Sequence, residues 1–141
     1  MPSLGPYSDL ARQRLMDLRH GLLRLHKTLL DSERVSYERA NGRIQSRGEF
    51  FQLVIGNPWF AWLHRLSELV VQIDEMLDAE ETATAIDAIK LMDRARMLLK
   101  PSEEGDGFAK RYFDALQRDP DVVLAHAAVK KLLRKSVFHL N

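Results

Sequence analysis

The stretch Phe50-Phe51-Gln52-Leu53-Val54-Ile55-Gly56-Asn57-Pro58-Trp59-Phe60-Ala61-Trp62-Leu63-His64-Arg65-Leu66 decides the fold. It holds both tryptophans and three of the six phenylalanines, so the weight of the core should fall here. Before Gly56 the chain is almost wholly apolar, and Gly56-Asn57-Pro58 then breaks it. Proline has no N–H and a φ preset near the helical value, which suits the first position of a new helix. Asn57 is a good N-cap before it, and Gly56 can close the helix upstream. Further back, Ser46-Arg47-Gly48-Glu49 has the spacing of a capping box. The stretch reads as a short apolar helix over 47–55, a sharp turn, and a helix from 58. Two adjacent apolar segments that change direction both need cover. Trp59 and Trp62 are read first as core side chains and second as a stacking wall for a ligand.

Upstream, Ser8 is placed to cap a helix whose first turn carries Asp9. From Leu10 to Ala40 there is no proline and one glycine, Gly21. Leu15, Leu18, Leu22, Leu25 and Leu29 recur at alternating three- and four-residue steps, the stripe of a helix packed at a shallow angle in a bundle. Asn41-Gly42 ends this helix. At 1.5 Å per residue it is about 45 Å long, more than a small core needs, so its second half is expected to project.

Downstream, the helix from Pro58 continues to about Asp78, with Trp59, Leu63, Leu66, Val70, Ile73 and Leu77 as its stripe. A segment over 81–99 follows, with alanines that permit close approach. The joint at 79–82 has no glycine or proline, so one bent helix and two separate helices both fit. Lys100-Pro101 and Ser102–Gly107 form a loop. Phe108–Gln117 is a short helix bearing Phe108, Tyr112, Phe113 and Leu116. Asp119-Pro120 starts a last helix over 121–136, with Val122, Ala125, Val129 and Leu132 on one side. No segment alternates with period two. The expected fold is all-α, one domain over 1–141, a bundle of five to six helices with a long first helix.

Composition narrows function by exclusion. The net charge of +1 carries no global commitment to nucleic acid or membrane, and the chain has no cysteine for a disulfide, thiol nucleophile or thiolate metal site. Met1–Pro6 lacks a basic region before an apolar core, so no signal peptide is expected. No apolar run reaches the roughly 18 residues of a membrane span. A cytoplasmic location is expected.

The histidines are His20, His26, His64, His126 and His139, and none has a glutamate three residues before it. Asp17 and His20 alone approach the carboxylate-x-x-His spacing of bundle metal sites. No His-Glu-x-x-His motif, phosphate loop or nucleophile elbow is present, so no metal, cofactor or catalytic residue is assigned. A second constellation lies late in the first helix, where Ser32, Glu33 and Ser36 interrupt the leucine stripe. His26, Leu30, Glu33 and Tyr37 share one face there. A helix leaving the bundle explains this best. The alternative is a pocket with His26, Glu33 and Tyr37 as its polar groups and Trp59 and Trp62 as its apolar wall.

Charge is unevenly spread. From Glu68 to Asp87 there are seven acidic residues and no lysine or arginine. Both ends lean basic. Lys130–Leu140 is basic and apolar together, which suits nucleic acid or an anionic membrane but suits helix C-terminal cations better.

The run Asn57-Pro58-Trp59-Phe60-Ala61-Trp62-Leu63, after Glu38-Arg39 and Gly42, resembles a block in small uncharacterised bacterial helical proteins, over about residues 22–75. The resemblance implies a bacterial setting and no activity. The expected function is a non-enzymatic binding or regulatory module acting through protein–protein contact. Self-association as a homodimer through the first helix is expected, with a small-molecule- or metal-binding bundle as the alternative.

Overall fold

Helix α1, Asp9–Asn41, is the element to which almost everything else attaches. The structure is a computed structural model that describes residues 9–79 and 84–135. After α1 come α2 (Arg47–Gly56), a 3₁₀ helix (Pro58–Leu63), α3 (His64–Asp78), α4 (Ala85–Leu98), α5 (Phe108–Arg118) and α6 (Pro120–Leu133). The fold is an all-α bundle, and no strand occurs among the described residues. Among the described residues, no helix is long and apolar enough to cross a membrane.

The leucine stripe of α1 faces inward throughout. Ala11, Leu15, Leu18, Leu22, Leu25 and Leu29 are fully buried against α3, α4 and α6. Gly21 lets α6 approach closely: a Cβ there would stand 2.9 Å from Leu132 Cδ1 and 3.3 Å from Val129 Cγ2. On α6 the fully or nearly covered residues are Val122, Ala125, Val129 and Leu133, whereas Leu132, expected in the stripe, is half-buried over Gly21. A four-residue step from Val129 keeps to the buried line, and the three-residue step drifts off it.

Capping follows the sequence closely. Ser46 Oγ accepts from Glu49 N–H at 3.1 Å, and the Glu49 carboxylate accepts from Gln45 N–H at 3.1 Å. Asn57 Oδ1 accepts from Trp59 N–H at 2.8 Å. α1 closes on Gly42, which takes a left-handed φ of 91° and donates its N–H to Glu38 at 2.9 Å. Thr84 and Asp87 form a reciprocal capping box at the start of α4. The 79–82 joint therefore separates two helices, α3 ending at Asp78 and α4 beginning at Ala85. Ser8, residues 80–83 and the tail from 136, His139 included, lie outside the described residues.

Three expectations change. The second half of α1 does not project, because the 3₁₀ helix and α5 cover it and Ser32 and Glu33 are buried there. The helix from Pro58 is not α-helical at its start: its first six residues are 3₁₀. Three residues per turn stack i on i+3, so Phe60, Leu63 and Leu66 form the buried line and Trp59 turns to a half-buried flank. Finally, α2 finds cover on one side only: Phe50, Leu53 and Val54 pack partly buried against the core, and Phe51 and Ile55 stay exposed. None of its ten residues is buried.

Candidate functional site

The polar interruption of α1 leads to α5. Arg118, in the last turn of α5, donates Nε to Ser32 Oγ at 3.1 Å and pairs through Nη2 with the Glu33 carboxylate. Glu33 is only 3% exposed. A carboxylate that far from water requires a charged partner, and Arg118 is that partner through Nη2, while its Nε holds the neighbouring Ser32. The helix pair is thereby pinned, and Glu33 has its cation already.

Tyr37 lies one turn further along α1 and meets the aromatic corner. Its ring stands edge-on to Trp59 at 5.5 Å between centroids and tilted to Phe60 at 5.6 Å. Phe50 of α2 joins edge-on to Phe60 at 5.7 Å, and the Arg34 guanidinium covers the Phe50 ring at 4.9 Å. Glu38 fixes the turn that brings α2 back, since its carboxylate accepts from Ile44 N–H at 2.8 Å. The corner therefore combines edge-to-face aromatic packing with one cation–π contact.

Trp62 belongs to a different cluster. It packs on Phe108 at 5.1 Å, Phe108 on Tyr112 at 5.5 Å, and Tyr112 on His126 at 5.3 Å. This ladder ties the 3₁₀ helix to α5 and α6. Burial raises the Tyr112 hydroxyl far above its ordinary value, so it stays protonated, and it shares a hydrogen bond with His126 Nδ1 at 2.5 Å. Burial, and secondarily the Lys130 charge, lower the His126 pKa and so favour the neutral imidazole.

His26 is half-buried on α1. Burial lowers its pKa, with a further contribution from the charge of His64, whose own Nε2 lies 3.3 Å from Val54 O. Of the five residues in the alternative pocket reading, the structure brings Tyr37 and Trp59 into contact. Glu33 is engaged by Arg118 and Trp62 by Phe108. The indole N–H groups of Trp59 and Trp62 are buried without a partner among the described residues. No group of three or more His, Asp or Glu among the described residues is placed to hold a metal.

The basic and acidic stretches meet inside the chain. Arg19 pairs with Asp74, and Arg12 Nη1 donates to Leu77 O at 2.9 Å.

Two surface features escaped the sequence. One is the outer face of α2, with Phe51 61% and Ile55 53% exposed. The other is an open groove of about 660 Å³ between α3 and α4, closed at one end by the first turn of α5. Residues of three helices meet there, and no spacing along the chain announces it. No protein-family model matches this chain, and neither a curated protein nor a solved structure matches it.

Proposed function

We propose that this protein is a non-enzymatic binding module that acts through protein–protein contact, first with a second copy of itself. The observation that carries the reading is α2: a helix holding Phe50, Phe51, Leu53, Val54 and Ile55 with no residue buried. Phe51 and Ile55 are four residues apart, so they form one ridge on the outer side. Exposed apolar surface of this kind marks contact sites. The helix carries one arginine and one glutamate, so two copies meet without net repulsion. Its base is stiff, held by the Ser46–Glu49 cap, the Glu38–Ile44 bond and the Arg34–Phe50 contact. Of the polar groups in the α1 pocket reading, Glu33 is meanwhile engaged by Arg118, and the Tyr37 ring packs on Trp59 and Phe60.

This moves the self-association surface from the leucine stripe of α1, which the bundle covers, to α2. The bacterial, cytoplasmic setting expected from sequence accords with the reading. The test is sedimentation of the whole chain at micromolar concentration. A mass of twice 16.3 kDa is expected, falling to 16.3 kDa in a Phe51→Glu, Ile55→Glu variant. A single 16.3 kDa species for the unaltered chain at every concentration overturns the proposal.

A further inference from the structure

We infer that the groove between α3 and α4 is a binding site for a small amphipathic anion, an apolar chain ending in one anionic head group. This site is separate from the α2 ridge and does not depend on it. The floor and walls are apolar: Leu69 and Phe108 are nearly covered, Leu98 is half-buried, and Met97, 67% exposed, stands at the edge. The remaining lining is strongly charged. Arg65, Lys90 and Arg94 bring three cations to the groove, and Glu68 and Asp93 bring two carboxylates. Asp93 is already paired with Arg96 at 2.5 Å. Arg94 donates to Gln72 Oε1 at 2.9 Å, a neutral acceptor that leaves its charge uncompensated. Among the described residues, neither Arg65 nor Lys90 is in an ion pair. The groove thus holds an excess of positive charge beside buried apolar surface.

That pairing selects the ligand. A bare anion gains the cations but leaves the apolar floor wet, and a neutral hydrocarbon covers the floor but leaves the cations to water. A chain with an anionic end does both. The volume of about 660 Å³ lies inside the roughly 300–1,000 Å³ range of small-molecule sites. Guanidinium groups from two helices, Arg65 near the start of α3 and Arg94 on α4, match a carboxylate or phosphate oxygen pair better than a point charge would.

The site reports on itself. Phe108 lines the groove and packs on Trp62, so occupation should alter the emission of Trp62. The experiment titrates the whole chain with decanoate below its micellar concentration, followed by tryptophan fluorescence and by calorimetry. Saturable binding of one decanoate per chain is expected. Decanol should bind at least about tenfold more weakly, since losing hydrogen bonds to a charged group commonly costs that much or more. An Arg65→Gln, Arg94→Gln variant should weaken decanoate at least about tenfold and leave decanol unchanged. Met97→Glu, at an exposed position with no core role, should also weaken decanoate. The inference falls if decanoate does not saturate, if decanol binds as well, or if either variant binds decanoate like the original. It also falls if inorganic phosphate displaces decanoate at equal concentration, because the site then takes a bare anion. Helical circular dichroism of each variant, unchanged, ties the losses to the groove.

Discussion

Among the described residues, Arg118 is the cation paired with the buried carboxylate of Glu33. Removing it leaves Glu33 buried and charged, which costs far more than the pair contributes net. Arg118→Met is expected to lower stability by about 3 kcal/mol, the low end for a broken buried pair, because the arginine side chain is itself about one-third exposed. A Glu33→Leu, Arg118→Met double variant should recover most of that loss. Urea unfolding of the three proteins checks both statements, and a double variant as weak as the single one refutes the argument. At this scale the sequence told half the story. Ser32 and Glu33 stand out in it as an interruption of the leucine stripe, but their partner is 85 residues away from Glu33 in the chain. Nothing local points to it. His126 was similarly visible only as one histidine among five, because its role comes from Tyr112 on the neighbouring helix.

Among the elements, the 3₁₀ helix has the largest effect on which side chains become core. The expectation from 3.6 residues per turn put Trp59 in line with Leu63. The tighter turn puts Phe60 there, fully buried, and leaves Trp59 half-exposed on the flank. Phe60→Ala should therefore cost about 3–5 kcal/mol, the range for a buried large aromatic, and Trp59→Ala distinctly less. Thermal or urea midpoints of the two variants decide it, and the reverse order would restore the α-helical register. Helix existence, the Ser46, Asn57 and Asp119 caps and the proline starts at 58 and 120 were legible, because each depends on neighbouring residues, whereas the Thr84–Asp87 box that opens α4 was not read. Cover was not legible. An apolar run such as 50–55 signals a need for burial, but only the packing of other elements shows that α2 has one side left open.

Across the whole molecule, mild acid acts on two histidines whose charged form the fold disfavours. The folded pKa values of His26 and His126 lie below the ordinary 6.5, from burial first and then from His64 and Lys130 respectively. The unfolded chain consequently binds protons more readily, and stability rises with pH through this window. The stabilising contribution is complete above 6.5 and is lost as pH falls through the lowered folded values. Unfolding midpoints measured on the two sides of 6.5 should show this decline, and a His26→Gln, His126→Gln variant should flatten it above the carboxylate range. A midpoint that rises on mild acidification would mean that one of these histidines gains an unrecognised anionic partner. The all-helical, single-core plan was readable in the sequence because every segment repeats at helical spacing. The pairing of α1 with α6 was not, since periodicity fixes which face of a helix is apolar and says nothing of which neighbour meets it.

That pairing bears on how the chain is made. Helix α1, with its buried leucines at 15–29, is synthesised before the other described helices, and its most extensive partner, α6, after them. At about 5–20 residues per second, roughly 100 residues and some 5–20 seconds separate the two. During that interval the leucine stripe emerges from the ribosome with α3 and α4 as its earliest cover and the Gly21 side still bare. A nascent chain halted before Pro120 should accordingly remain a substrate for chaperones that hold apolar helices, and release from them should coincide with the appearance of Val122–Leu133.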